Sequence, residues 1–89
     1  EAMVRSLAVE YGPHGINSNG IAPGTFATET NQAIVNNPEI SSQLVGRNPL
    51  GRWGDPVEIA GPAVFLASAA SSYVNGHILV VDGGYSIAY

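Results

Sequence analysis

The sequence predicts an α/β chain whose parallel sheet is incomplete within its 89 residues. Helical periodicities alternate with two short strand-like runs, the order expected of helices laid over a parallel sheet. The second run, Ile78-Leu79-Val80-Val81 after His77, is continuously apolar rather than alternating, as in a strand covered on both faces. Two strands cannot bury three or four helices, so the pattern predicts further strands beside them.

Along residues 1–11 the apolar side chains Met3, Val4, Leu7, Ala8 and Tyr11 recur at steps of three and four, which predicts an amphipathic helix with Arg5 and Ser6 on the opposite face. Glu1 opens directly in this pattern, with no initiator Met and no cap, which predicts a chain that continues upstream. Gly12 is the expected left-handed C-cap and Pro13 the stop. Residues 16–22 read as a strand feeding a loop at Pro23-Gly24, because Pro cannot donate to a sheet ladder. Two polar helices are expected over 28–36, capped by Thr28, and over 39–47, parted by Asn37-Pro38. A turn follows at 48–54. Asp55-Pro56-Val57-Glu58 places an N-cap, a first-turn proline and an N3 glutamate in capping-box order, so a helix is expected over 56–68. That helix is apolar around much of its circumference, which predicts burial on more than one side, and it carries Pro62 internally. After the last strand, Asp82-Gly83-Gly84 reads as a turn.

Composition excludes several function classes. Hydrophobic residues make up 45% and charged residues 11%, a globular balance without low-complexity runs. Seven acidic side chains face three arginines (Arg5, Arg47, Arg52) and no lysine, so there is no basic stripe for nucleic acid. No apolar run approaches the ~18 residues of a bilayer span. The lack of cysteine removes thiolate chemistry and fits a reducing cytoplasm. His14 and His77 stand alone at a turn and a strand entrance, without metal-ligand spacing, and no metal or catalytic role is assigned to them.

Four stretches in order, residues 7–15 (LAVEYGPHG), 19–24 (NGIAPG), 49–66 (PLGRWGDPVEIAGPAVFL) and 73–84 (YVNGHILVVDGG), resemble the C-terminal third of classical short-chain dehydrogenases/reductases. Within that family the segments FATETNQAI, NPE, RWG, GPAVFLAS and YVNGHILVVDGG are most similar to gluconate 5-dehydrogenases, while PLGR and VDGG are shared with related sugar-acid dehydrogenases and 3-oxoacyl-carrier-protein reductases. Asn17 and Ser18 depart from the Arg and Val usual in the family. The resemblance implies the C-terminal part of a doubly wound Rossmann-type sheet, one NAD(P)-binding domain in all, with a substrate-binding lid over 28–50. It also implies NAD or NADP as cofactor and a small polyhydroxy acid or ketone as substrate. A homotetramer follows by analogy, built through the 56–68 helix that opens at Pro56 and ends at Ser68, and through Ile78–Val81.

By the same resemblance, Pro23, Gly24, Thr25 and Phe26 offer main-chain groups to the nicotinamide carboxamide, and Thr28 offers a hydroxyl and a helix start. Glu29, Asn31 and Arg47 are the lid residues placed to meet a sugar acid, Arg47 as the carboxylate partner, against the plain alternative of a solvated lid surface. Asn19 reads as structural, since a polar side chain at a strand end needs partners. Trp53 reads either as a lid anchor or as an interface aromatic. No catalytic residue is assigned: the family pairs a Tyr with a Lys four residues later, and Tyr11, Tyr73, Tyr85 and Tyr89 have no Lys anywhere in the chain. The expected activity is therefore that of a parent oxidoreductase interconverting gluconate and 5-ketogluconate, these residues alone being inactive. A 3-oxoacyl reductase and a non-catalytic fragment are the alternatives.

Overall fold

The structure, a computed structural model, describes residues 1–88; Tyr89 lies outside the described residues. Helices α1 (Ala2–Tyr11), α2 (Gln32–Val35), α3 (Pro38–Gly46) and α4 (Val57–Ala67) are interleaved with strands β1 (Gly20–Pro23) and β2 (Ile78–Val81). The two strands are neighbours in one sheet. Gly20 N donates to His77 O and Gly24 N to Val81 O, each at 2.9 Å; a four-residue advance on both strands makes the pair parallel. The chain divides into two compact units, Glu1–Ala22 with Ala60–Val80, and Pro23–Ile59 with the chain from Val81 onward.

In the first unit Ala8 of α1 is buried at 5% exposure, and Asn75 Nδ2 donates to its carbonyl at 3.2 Å. The expected C-cap is displaced. Gly12 is right-handed (φ −52°, ψ −46°), Pro13 enters a 3-10 turn over Gly12–His14, and the left-handed residue is Gly15 (φ 78°, ψ 20°). Proline is tolerated at the start of such a turn, where its missing N–H is not needed, so the reversal waits until the turn is complete.

The first strand also begins later than Ile16. Ile16 N turns back to Tyr11 O at 3.3 Å, and Ser18 N is taken by the Asn75 side chain at 2.9 Å, so neither enters a ladder. Asn19, half-buried, finds partners for both ends of its amide: Nδ2 donates to Val74 O at 2.9 Å and Oδ1 accepts from His77 N at 3.0 Å. These bonds bring the 74–77 turn and the start of β1 into register. Pro23 is the last residue of β1, where no further donation is required.

In the second unit α3 begins as its sequence demands, with Asn37 Oδ1 accepting from Glu39 N and Ile40 N at 3.2 and 3.3 Å and Pro38 in the first turn. The helix expected over 28–36 is shorter, a 3-10 turn at Glu29–Asn31 followed by four α-helical residues. Thr28 stands at the N-cap position of that turn, but its side chain makes no capping bond. The start of α4 is a reciprocal box: Val57 N donates to Asp55 Oδ1 at 3.1 Å and Asp55 N to Glu58 Oε1 at 2.9 Å. Pro62 lies inside the helix.

Two burial expectations are not met. No residue of α4 is buried, with Val64 66% and Phe65 39% exposed, and Val80 of β2 is 49% exposed. The reason is the one the strand count implies: among the described residues the sheet has only two strands, too little surface to cover these apolar side chains.

Candidate functional site

Residues 23–28 lie in the second unit, and their backbone bonds show which groups are spent. Gly24 N donates to Val81 O at 2.9 Å. Phe26 forms an isolated parallel bridge with Gly54, closed by Gly54 N donating to Thr25 O and Ala27 N donating to Gly54 O, both at 2.8 Å. The Phe26 carbonyl accepts from Thr28 N at 2.9 Å and from Asn31 Nδ2 at 2.8 Å. Two donors remain. Among the described residues neither Thr25 N–H nor Phe26 N–H has an acceptor, and Thr25 Oγ1 is buried without a partner. Consecutive unspent donors and an orphaned buried hydroxyl are what a polar ligand group would satisfy.

Gly24 is required by a close approach rather than by a special dihedral angle. A Cβ there would lie 2.7 Å from both Cα and Cβ of Asp82. Asp82 has little freedom to move: its carboxylate accepts from Gly84 N and Ser86 N, each at 2.9 Å, and these N–H groups, the Ser86 one foremost, lower its pKa against the opposing effect of burial.

The 25–26 segment also borders a cavity of about 170 Å³, whose wall includes Thr25, Phe26, Asn48, Arg52, Asp82 and Gly83. At its rim Arg52 makes a two-pronged pair with Glu58, at 2.7 and 2.9 Å. The Arg52 hydrogen bond, with help from the Asp55 N–H, draws the Glu58 carboxyl down to about 2, and the same pair raises Arg52. Asn48, at 7% exposure, was not anticipated as a site residue. Its Oδ1 accepts from Leu50 N at 2.8 Å and its Nδ2 donates to Asp82 O at 3.2 Å, joining the end of the 28–50 segment to the residue behind Gly24. Its signal in the sequence is only an Asn before Pro in a turn, which does not reveal a partner 34 residues away.

The residues expected to meet a sugar acid differ in their surroundings. Asn31 is engaged with the Phe26 carbonyl and so braces the loop. Glu29 is exposed in the 3-10 turn. The Arg47 guanidinium lies 5.5 Å from the Tyr85 ring centre, a cation–π arrangement, with its side chain exposed. Trp53 Nε1 donates to Ser41 Oγ of α3 at 2.7 Å, tying the 52–54 segment to that helix. Thr28 keeps its hydroxyl out of every hydrogen bond among the described residues, but the helix start expected of it is only a 3-10 turn and a four-residue helix, too short to present a useful positive end. No cluster of three or more His, Cys, Asp or Glu that could hold a metal is present among the described residues.

Residues 1–86 match a family model described as enoyl-(acyl carrier protein) reductase, adh_short_C2. The chain is 50% identical over 86 residues to 5-keto-D-gluconate 5-reductase of Escherichia coli K12 and 46% identical over 86 residues to gluconate 5-dehydrogenase of Gluconobacter oxydans, covering 97% of this chain and 34% of each relative. A crystal structure of a gluconate 5-dehydrogenase from Burkholderia cenocepacia J2315, in complex with NADP and tartrate, superposes with a TM-score of 0.91 at 45% identity, over 99% of this chain and 34% of that one. The chain thus spans about a third of the length of the relatives it matches.

Proposed function

This chain belongs to the short-chain dehydrogenase/reductase family, with the α/β Rossmann-type architecture of its structural neighbours, and from that premise we propose that residues 23–28 form the nicotinamide-facing wall of an NAD(P) site. The observation that carries this reading is the pair of unspent N–H groups on Thr25 and Phe26, held in place by the bonds of Gly24 and Gly54. The chemistry fits: a carboxamide oxygen accepts from main-chain N–H groups, and the Thr25 and Thr28 hydroxyls can each donate or accept toward the same cofactor. Pro23 ends the strand and so delivers Gly24 to the turn. When bound, the dinucleotide supplies hydride transfer at the nicotinamide; this chain's contribution is to hold the ring's orientation and to exclude water through the 28–50 lid.

The substrate class we propose is a sugar acid, with gluconate and 5-ketogluconate as the pair, supported by the two relatives named for that conversion. Arg47 and Glu29, exposed on the lid, are the residues free to meet its carboxylate and hydroxyls. The chain has no lysine and therefore no Tyr-xxx-Lys pair, so these 89 residues are proposed to have no turnover alone. Acyl-carrier-protein chemistry is the second reading, favoured by the description of the matching family model. The homotetramer, through α4 and β2 with their exposed Val64, Phe65 and Val80, and a cytoplasmic location complete the proposal.

The test is turnover by the full-length protein carrying these residues, followed by the absorbance of reduced nicotinamide with NAD and NADP in turn. Gluconate oxidation and 5-ketogluconate reduction are expected. Turnover of an acetoacetyl thioester in their place supports the second reading, and no turnover of any of the three refutes both.

A further inference from the structure

We propose that Gly54 is a positioning residue for the dinucleotide, setting through its bridge to Phe26 where the Thr25 and Phe26 N–H groups stand; the inference rests on the NAD(P) reading above and deepens it. Gly54 meets the cofactor loop with both of its backbone groups, at 2.8 Å each, on either side of Phe26. It also lies against the Phe26 ring so closely that an added Cβ would sit 2.6 Å from Cδ1 and from Cε1 and 3.2 Å from Cγ. No φ reversal is involved, because Gly54 is not among the glycines with positive φ. Its requirement is one of space alone: only a residue without a side chain lets the bridge close while the ring stays in place.

The opposite side of this clamp is pinned by the lid. Trp53, the residue before Gly54, is tied to Ser41 of α3 at 2.7 Å, and Arg52, the residue before that, is tied to Glu58. Held chiefly by the Trp53 bond, the segment 52–54 resists retreat, so the clash at Gly54 falls on the Phe26 ring and on the 25–27 loop that carries it. A loop displaced by a fraction of an ångström misdirects donors whose value depends on direction.

The prediction is read in the full-length protein by titration with NADP and NAD and by steady-state kinetics. Gly54→Ala is expected to raise the dinucleotide dissociation constant and KM about tenfold and, because the nicotinamide is held less well in its reactive orientation, to lower kcat at saturation as well. Phe26→Ala removes the ring without a clash and is expected to weaken binding by about threefold, and the double variant Gly54→Ala/Phe26→Ala by about threefold as well, because the colliding atoms are gone. That non-additive rescue is not expected of general loosening of the fold. Wild-type affinity in Gly54→Ala overturns the inference, as does a double variant as weak as the product of the singles. Should Gly54→Ala fail to fold, unchanged binding by Phe26→Ala overturns it. If the unsubstituted protein binds neither dinucleotide, the NAD(P) reading falls first and this inference with it.

Discussion

Replacing Gly24 by alanine strikes the point where strand, turn and proposed cofactor wall meet. The new Cβ would lie 2.7 Å from Asp82 Cα and Cβ, against the ~3.5–4.0 Å at which carbon atoms pack without repulsion, so roughly 1 Å of movement is required. Asp82 is a poor candidate to provide it, being bound by Gly84 N and Ser86 N through its carboxylate and by Asn48 Nδ2 through its carbonyl. The displacement falls instead on Gly24, whose N–H bond to Val81 O lengthens, and on the loop beyond it. Overpacking of this kind costs about 1–3 kcal/mol. In a protein of 150–250 residues that is a fall of roughly 2–12 °C in Tm. Thermal unfolding of the full-length protein, with and without NADP, is the assay, and Gly46→Ala is the control, since a Cβ there meets nothing within 4 Å. A Gly24→Ala protein with the Tm and NADP affinity of the parent would refute the close-approach argument.

Three further substitutions probe the frame. Asn48→Ala removes the acceptor of Leu50 N and the donor to Asp82 O from a buried position, and denaturant unfolding is expected to show a loss of about 1–3 kcal/mol. Asp55→Ala deletes the N-cap acceptor of α4 and is expected to cost about 1 kcal/mol in the same assay. Glu58 is pulled below its ordinary value of 4.5 to about 2, so its pairing stabilises the fold fully above 4.5 and is lost as pH falls toward 2. The pair is about half exposed and screened, so the effect is small. Glu58→Gln is expected to flatten Tm against pH in that acid window while following the parent's slope at higher pH.

The features that could be read from sequence alone are those whose physics is local. Asp55-Pro56-Val57-Glu58 contains every atom of its capping box, which forms as expected, whereas Asn37-Pro38, read as the break between two helices, is itself the start of the second, with Asn37 as its cap. The apolar run before Asp82-Gly83-Gly84 is a strand for the same reason. Asn19 was identifiable as structural, because a strand-end amide needs partners, although which partners depended on the 74–77 turn. Local rules failed where a neighbour intervened. Gly12 was the nearest glycine to the helix end, but Pro13 carried the chain through one more turn and left the reversal to Gly15.

The site divides along the same line. Pro23-Gly24 marked the loop, yet the bridge from Phe26 to Gly54 and the bond from Asn48 to Asp82 join residues far apart in sequence, with no periodicity to announce them. Thr28 was legible as a helix start and was not a side-chain cap, because only a 3-10 turn and a four-residue helix follow it. The burial predicted for α4 and β2 came from apolar patterning, and patterning records which surfaces need covering without saying what covers them.

Amide hydrogen exchange at Thr25 and Phe26 in the full-length protein reaches the central proposal most directly. These two N–H groups should exchange quickly in the free protein and slow markedly at saturating NADP or NAD, while Ala27 N–H, already bonded to Gly54 O, changes little. Fast exchange at both positions with the dinucleotide demonstrably bound would contradict the assignment of 23–28 as the nicotinamide wall.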